Sequence, residues 1–454
     1  MRLSTLLQRR NLTEGVIWKE LLLFALPLLL TNFLQQLYNA ADLLIVGRYA
    51  GKQAMAGVGA TGSVSVMLVG LFMGLATGVS VLVAQASGGE DYEGLYHIVH
   101  TAHAVALLSG VFLTVAGYLA TPHLLHLMGT PADIIDGATS YMRLYFIGVT
   151  PLLIYNVGGG ILRACGDAQR PFIFLLISAT GNIVFDFIFV KYLGWGIVGA
   201  AWATVLSQTI AAVAVVITLV RSDEPFRLFL RDIKINFDYL KQIIKLGVPA
   251  GMQSVVISVS NVLIQSKINS FGSNAIAGIA AAGRIDGFIF TGLQAIAMAA
   301  TTFAGQNLGA KRYSRLRPGL KSAMGIVAVT ALISSSFVLI MRKQLIGIFN
   351  SDPDVQYYGL RMMLFLASSY WIFGLSEIFA GFIRGSGKTM PPMLIALISM
   401  CGLRILWLYI AMPIWQSIDV IILSYPISWT LTFIANSLYF KFGKWLPQEA
   451  KMEY

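Results

Sequence analysis

The sequence predicts an all-α polytopic membrane protein, with twelve transmembrane helices in two pseudo-symmetric six-helix bundles. Its composition, the length of its apolar stretches and an internal repeat lead to this prediction. The 454 residues are 57% hydrophobic and only 12% charged, and the mean hydropathy is +0.74. In an ordinary soluble domain about a quarter of the residues are charged. A chain of this composition is therefore expected to lie in a lipid bilayer.

Apolar stretches recur along the whole chain, and each is long enough to cross a hydrocarbon core of about 30 Å. No segments of roughly ten residues with alternating polarity, the pattern of a transmembrane barrel, are visible. Every span is therefore predicted to be a helix. The twelve predicted spans lie near residues 18–46, 54–84, 95–120, 138–160, 171–193, 197–220, 241–268, 275–305, 320–348, 357–383, 392–414 and 419–443.

The formal net charge of +11 indicates topology rather than a nucleic-acid partner. Basic residues gather before the first span, in the loop between the sixth and seventh spans, and after the eighth. By the positive-inside rule, this distribution places both termini in the cytoplasm. The N-terminus lacks the pattern of a cleavable secretory signal, so the first span is expected to remain.

The two halves of the sequence repeat one plan at an offset of 221 to 222 residues. Each copy has six spans, an even number, so both copies should insert in the same orientation. The predicted domains are an N-lobe (1–220, helices 1–6), a cytoplasmic linker (221–240) and a C-lobe (241–454, helices 7–12). The matching pairs include Pro27 with Pro249, Asn39 with Asn261, "AQASGGEDY" (84–92) with "GQNLGAKRY" (305–313), and "LRACGDAQRP" (162–171) with "IRGSGKTMPP" (383–392).

Two acids inside the N-lobe spans do not follow the repeat. Asp42 stands opposite Ile264, and Asp186 stands opposite Trp407. A residue that the scaffold requires should tend to occur in both copies. A charged Asp at the centre of a transmembrane helix costs about 2.5 to 3.5 kcal/mol on insertion scales. These acids are therefore predicted to serve a function that the N-lobe performs.

Each acid shares its helix face with an amide, since Asn39 precedes Asp42 by three residues and Asn182 precedes Asp186 by four. Carboxylates and amides supply the hard oxygens that suit Na+, and two nearby carboxylates can also hold a proton. Thr204 offers a further oxygen. These five residues are the predicted cation-coupling site, with Na+ possible at Asp42, Asn182 and Asp186. The alternative is that both acids are buried, satisfied by hydrogen bonds and otherwise inert.

The C-lobe spans carry charges of their own, in Arg284, Asp286, Glu377 and Arg404. Two cations and two anions favour interhelical salt bridges, with Glu377 to Arg404 as the preferred pair. The alternative is an anionic surface for a cationic substrate. Arg284 and Asp286 are two residues apart and cannot face each other on one helix. Pro27 lacks an N–H to donate and is predicted to kink the first helix.

Over nearly its whole length the chain resembles the multidrug and toxic compound extrusion (MATE) transporters of the MOP superfamily. The resemblance is carried by the six-plus-six plan, by "ADLLIVGRYAG" (41–51), by "GNIVFDFIFV" (181–190) and by the paired loops given above. The similarity is to the prokaryotic branch related to DinF proteins. It departs from the NorM branch, which has an acid on the seventh span where this chain has Gln265 and Lys267. The resemblance implies an N-lobe cation site at Asp42, Asn182, Asp186 and Thr204, with Tyr141 and Asn156 at nearby polar positions.

The resemblance implies a secondary antiporter that exports cationic or amphipathic small molecules (drugs, toxins or metabolites) in exchange for H+ or Na+ by alternating access. Such a protein would act as a monomer in the inner membrane of a prokaryote, without a cofactor. Alternatives are a lipid-linked precursor flippase of the same superfamily or a channel. An enzyme is not expected, because no phosphate-binding loop, metal-ligand spacing or nucleophile–base set is visible. The residues expected in the substrate cavity are Tyr38, Tyr141, Asn156, Asn261 and Gln265.

Overall fold

The computed structural model describes residues 9–127, 130–131 and 134–449, and within this part of the chain the side chains of residues 52, 56 and 59–68 are not described. The regular structure of the described residues is helical, without strands. This confirms the predicted fold class. Residues 1–8, which belong to the predicted N-lobe, and residues 450–454, which belong to the predicted C-lobe, lie outside the described part.

Six helices correspond to the six predicted spans of the first half. Two of them continue into a wider π-helical turn, Val46–Ala50 after the first helix and Phe187–Tyr192 after the fifth. The helices are α1 Ile17–Ile45, α2 Lys52–Gly88, α3 Tyr92–Leu127, α4 Ile135–Ala164, α5 Gln169–Asp186 and α6 Gly196–Val220.

The second half contains eight helices for its six predicted spans. The helices are α7 Phe237–Asn269, α8 Ser273–Gly309, α9 Leu316–Phe349, α10 Pro353–Ala367, α11 Tyr370–Gly385, α12 Met390–Ala396, α13 Arg404–Ile414 and α14 Ile418–Phe442. A π-helical segment, Leu397–Leu403, joins α12 to α13 into one span. Among the described residues, eleven helical stretches are long and apolar enough to cross a membrane, and the bent pair α10–α11 makes twelve.

The tenth span is broken between α10 and α11, which meet at an angle of 47°. Two consecutive serines stand at the break, and the hydroxyls of Ser368 and Ser369 both donate to the Phe365 carbonyl at 2.9 Å. Serine hydroxyls that bond back to the preceding turn compete with the backbone hydrogen bonds of a helix and bend it. The hydropathy of the sequence predicted one span here, near 357–383, and gave no sign of the break.

The helices form two compact units. The N-terminal unit comprises Leu30–Gly251 with the stretch that ends at Arg10, and the C-terminal unit comprises Asn11–Leu29 and the chain from Met252 onward. These boundaries differ from the predicted domains, because the first half of α1 belongs to the C-terminal unit. The first half of α7 belongs to the N-terminal unit together with the predicted linker.

The N-terminal stretch shows why the boundary falls between residues 10 and 11. Within the N-terminal unit, Arg9 forms an ion pair with Glu224, with Nη1 and Oε2 2.5 Å apart. Within the C-terminal unit, the Leu12 amide donates to Gln306 Oε1 at 3.2 Å, and Asn307 Nδ2 donates to the Leu12 carbonyl at 3.1 Å. Each side of the boundary is therefore held by side chains of a different unit.

Within the N-terminal unit, α2 and the first half of α7 cross at a pair of Gly-x-x-x-Gly motifs. A Cβ placed on Gly78 would lie 2.7 Å from the Gly247 nitrogen, and one on Gly74 would lie 2.5 Å from the Gly247 carbonyl oxygen. Gly251 likewise faces the backbone of α2. Small residues spaced in this way let two membrane helices approach until their backbones touch. This crossing holds residues 237–251 to the N-terminal unit.

Candidate functional site

The two acids that distinguish the first repeat from the second lie together inside the N-terminal unit. Asp42 comes from the second half of α1, and Asp186 is the last residue of α5, one helical turn after Asn182. Asp42 is 9% exposed, and Asn182 and Asp186 are fully buried. The carboxylates of Asp42 and Asp186 are close enough for their charges to interact. The fold therefore joins residues that are 144 positions apart in the sequence (186 − 42).

Most polar atoms of this carboxylate cluster have no hydrogen-bond partner within the described part of the chain. These atoms are Asp42 Oδ1, both carboxylate oxygens of Asp186, and the oxygen and nitrogen of the Asn182 amide. No salt bridge of the described residues includes either acid. A buried polar atom normally has a partner, so a group of orphans calls for an explanation. A bound proton or a small cation would supply the missing partner, since carboxylate and amide oxygens suit hard cations.

A wall of hydroxyl groups borders the two acids. The Tyr38 hydroxyl of α1 lies beside the hydroxyls of Thr204 and Ser207 on α6 and is close enough to interact electrostatically with both carboxylates. The Tyr141 hydroxyl of α4 is also close enough for electrostatic interaction with Asp42 and Asp186. The sequence analysis missed Ser207, which is fully buried and lies one turn after Thr204 on the same helix face. That spacing was the available signal.

Asn39 does not join the cluster as predicted. Its side chain is exposed, whereas Asp42 on the next turn is buried. An α-helix has 3.6 residues per turn, so residues three apart differ by about 60° around the axis. Near the edge of a buried face, that rotation is enough to separate an exposed side chain from a buried one.

A cavity of about 40 Å³ adjoins the carboxylate cluster in the N-terminal unit. Tyr38 belongs to both, and the cavity wall also includes the amides of Gln35, Asn156 and Gln208 and the Ser178 hydroxyl. A single water needs at least about 10–15 Å³ of such space, and drug-sized ligands occupy sites of about 300–1,000 Å³. In this conformation the cavity has room for an ion or a few waters.

Two π-helical turns follow the helices just beyond the two acids. Phe187–Tyr192 begins directly after Asp186, and Val46–Ala50 begins one turn after Asp42. The turns contact each other through the rings of Tyr49 and Phe187, whose centroids are 5.9 Å apart. Nothing in the hydrophobic pattern predicted these turns, which often mark functional sites in helices.

The other residues predicted for the cavity lie in the C-terminal unit. Asn261 and Gln265 are exposed on α7, and the Gln265 amide donates to Asn269 one turn later. The cavity of the N-terminal unit therefore contains Tyr38 and Asn156 of the predicted set, and Tyr141 lies in the neighbouring cluster. Pro27 lies inside α1 in the part that belongs to the C-terminal unit.

The preferred salt bridge of the C-lobe, Glu377 to Arg404, is wrong. Glu377, in the middle of α11, pairs instead with Arg384 near the end of the same helix, with Oε2 and Nη2 3.1 Å apart. Seven residues are almost two turns of an α-helix, so these two side chains lie on the same face. Arg384 also contacts Gln253 of α7 at 3.5 Å. The sequence analysis assigned Arg384 to a cytoplasmic loop and so missed it as a partner.

Arg404 is buried among hydroxyls and an aromatic ring. Its guanidinium donates to Ser428 Oγ from Nη2 at 2.6 Å and to Ser260 Oγ from Nη1 at 3.4 Å. The same group stacks over Tyr425, 4.6 Å from the ring centroid. Arg284 is exposed. The four C-lobe charges therefore do not form the predicted network, and Asp286 stands apart from both arginines.

A family model described as MatE matches residues 27–188 and, a second time, residues 249–410. The chain belongs to the MATE family. The two matches start 222 residues apart (249 − 27), in agreement with the internal repeat of the sequence. MATE proteins are multi-pass membrane transporters of small molecules and are not enzymes.

Curated MATE relatives cover almost all of the chain. The "Probable multidrug resistance protein YpnP" of Bacillus subtilis is 29% identical over 439 residues, which are 96% of this chain and 97% of the relative. YoeA of the same organism, with the same description, is 27% identical over 396 residues, 86% of each chain. The "Multidrug export protein MepA" of Staphylococcus saprophyticus is 20% identical over 385 residues, 85% of each chain.

Solved MATE structures share the fold. The outward-facing conformation of a multidrug resistance MATE transporter superposes with a TM-score of 0.89 at 23% identity, covering 98% of this chain and 99% of that one. A MOP superfamily transporter from Pyrococcus furiosus also gives 0.89 at 24% identity, covering 96% and 98%. That protein is described as having a binding pocket of reversed polarity that suggests a different function. At this identity the likeness establishes the fold alone, and membership in the DinF-related branch stays a prediction.

Proposed function

We propose that this MATE transporter is a secondary antiporter that exports cationic or amphipathic small molecules in exchange for H+ or Na+. The pair of buried carboxylates at Asp42 and Asp186 carries the proposal, because no cationic side chain of the described residues neutralises them. An uncompensated buried charge costs several kcal/mol. The alternative in which internal hydrogen bonds satisfy both acids is disfavoured, since most of their oxygen atoms are without a partner.

Exchange follows from competition for these carboxylates. In the outward-open state, H+ or Na+ binds Asp42 and Asp186, neutralises them and weakens their attraction for a cationic substrate, which leaves. After the transition to the inward-open state, the ion escapes to the cytoplasm and a new substrate binds. An ion shifts this equilibrium only by its differential affinity for the two states. Tyr38 connects the two events, because it belongs to both the carboxylate cluster and the adjoining cavity.

The membrane potential can drive this exchange when the entering ions carry more positive charge than the departing substrate, whereas a one-for-one exchange of monovalent cations is driven by the ion gradient alone. Each net elementary charge that moves down 100 mV supplies about 2.3 kcal/mol. Because about 1.4 kcal/mol corresponds to a tenfold concentration ratio, this is enough for tens-fold accumulation of substrate. No cofactor is needed beyond the coupling ion. We place the transporter in the inner membrane of a prokaryote with both termini in the cytoplasm, acting as a monomer because one chain contains both units.

Uptake of a cationic dye into everted membrane vesicles, whose lumen corresponds to the cell exterior, tests the proposal. A pH gradient and a sodium gradient are imposed separately, and vesicles without the protein give the background. We expect one of the two gradients to drive dye movement that stops when that gradient is dissipated. Dye flux that is independent of both gradients would indicate a channel. Movement of a lipid-linked oligosaccharide with no dye transport would instead indicate the flippase.

The amides of the cavity wall should contribute to substrate affinity. We expect Asn156→Ala and Gln208→Ala each to raise the dye concentration for half-maximal efflux by about 2- to 10-fold, the effect of losing one hydrogen bond. The maximal rate should change less. Gln416→Ala, which removes an exposed amide between α13 and α14, is the matched control. Unchanged half-saturation in both cavity variants would remove this cavity from the substrate path.

A further inference from the structure

The C-terminal unit contains a buried carboxylate that lies outside the proposed coupling site. Asp286 of α8 is 2% exposed. One of its oxygens, Oδ1, accepts a hydrogen bond from the Tyr370 hydroxyl of α11. The other, Oδ2, has no hydrogen-bond partner within the described ranges. Half of this carboxylate is therefore unsatisfied.

No arginine or lysine of the described residues forms a salt bridge with Asp286. Arg404 is occupied by Ser428, Ser260 and the Tyr425 ring. On α8 itself, Arg284 is exposed and two residues away, so it points elsewhere. Among the described residues, the ionisable groups whose charges interact with Asp286 are the hydroxyls of Tyr370, which bonds to it directly, and of Tyr425.

The remaining ionisable residues of the helices packed on α8 are held elsewhere or lie at helix ends. On α10, Arg361 pairs with Asp419, and on α11, Glu377 pairs with Arg384. At the start of α10, Asp354, Tyr357 and Tyr358 line a separate cavity with residues 271–274. The basic residues of α9 lie near its two ends, at Arg317, Lys321, Arg342 and Lys343.

The surroundings of Asp286 suit a proton better than a metal ion. The ring of Phe290, one turn along α8, contacts Tyr370, Phe373 and Trp429, with centroids 5.7, 4.9 and 5.3 Å from its own. Apart from the Tyr370 hydroxyl, which is already bonded to Oδ1, these rings offer no oxygen ligand, and hard cations bind through several oxygens. A proton needs only one acceptor, which Oδ2 supplies.

We propose that Asp286 is a proton-binding site of the C-terminal unit, separate from the Asp42–Asp186 cluster, and that Tyr370 links its protonation to the bend in the tenth span. When Asp286 is ionised, Tyr370 donates a charge-assisted hydrogen bond to Oδ1. When a proton from solvent forms an O–H bond at Oδ2, the acceptor becomes neutral and that hydrogen bond falls to about half its strength. Tyr370 is the first residue of α11, directly after the serines of the break, so proton binding loosens the start of α11.

Infrared difference spectroscopy of the purified full-length protein tests this directly, because a protonated carboxyl has its own carbonyl band. During a pH titration, Asp286→Asn should lose one titrating carboxyl relative to the parent. Tyr370→Phe should retain that carboxyl but shift its band to higher frequency, because the acid loses a hydrogen-bond donor. Asp136→Asn, which changes an exposed carboxyl, controls for general effects of substitution.

The same titration in an Asp42→Asn, Asp186→Asn background separates this proposal from the proposed antiport. The signal of Asp286 should persist there, and it should disappear when Asp286→Asn is added. If Asp286→Asn leaves the titrating bands of the parent unchanged, the site does not exist. If added Na+ at constant pH removes the Asp286 band, the site takes Na+ instead, and the assignment to a proton is wrong.

Discussion

Asp42→Asn and Asp186→Asn are each expected to reduce the rate of ion-driven transport by about tenfold or more. A tenfold loss corresponds to a free-energy change of about 1.4 kcal/mol. Asparagine keeps the size of the side chain but can neither carry the charge nor take the proton. Because the two carboxylates interact in one buried cluster, they should act as a unit. Effects of residues that act as a unit are strongly non-additive, so the double variant should be little worse than either single variant.

The measurement is the initial rate of dye uptake into everted vesicles, normalised to the amount of transporter in the membrane. Asp136→Asn is the matched control, since it removes an exposed acid from the same unit. If either buried variant pumps at the parental rate, coupling does not depend on that carboxylate. If the losses in the two single variants multiply in the double variant, the acids work independently, and the shared site is contradicted.

Gly78→Leu is expected to destabilise the protein strongly, because it adds a branched side chain where two helix backbones touch. A Cβ at this position already lies 2.7 Å from the Gly247 nitrogen and 2.9 Å from the Ile243 carbonyl oxygen. A leucine would therefore have to separate α2 from α7. Overpacking a close contact costs typically about 1–3 kcal/mol and occasionally more. We expect a melting temperature lower by several degrees and a reduced yield of monodisperse protein.

Thermal melting followed by size-exclusion chromatography in detergent measures this effect. Gly325→Leu provides the control, because it makes the same change in a membrane helix where a Cβ would meet no atom within 4 Å. Equal melting temperatures for the two variants would show that α2 and α7 do not pack as closely as the structure indicates.

The predicted fold agrees with the structure wherever hydrophobic length decides the outcome. All twelve predicted spans coincide with helical stretches, because crossing a bilayer requires a continuous apolar helix. The break at Ser368 and Ser369 and the three π-helical segments escaped prediction. They depend on local hydrogen bonding, which changes the path of a helix without changing its hydropathy.

The candidate site could be predicted in part, because the cost of a charge inside a membrane span is visible in the sequence. Asp42 and Asp186 were identified because a charge inside a span is costly and because the second copy of the repeat lacks them. The structure brings them together in one buried cluster. The pairing of Glu377 could not be predicted, because Arg384 lay beyond the assigned span. Side-chain reach at a helix end is not visible in a hydropathy pattern.

The unit boundaries have a consequence for how such a chain could have originated. Each repeat gives its opening half-helix, 17–29 or 237–251, to the unit that the other repeat builds, which is a reciprocal exchange within one polypeptide. A gene for a single repeat would therefore have encoded a bundle that lacked the half-helix supplied by the other repeat. A second copy of the same chain could have supplied it, so dimerisation of single-repeat subunits is expected to have preceded their fusion.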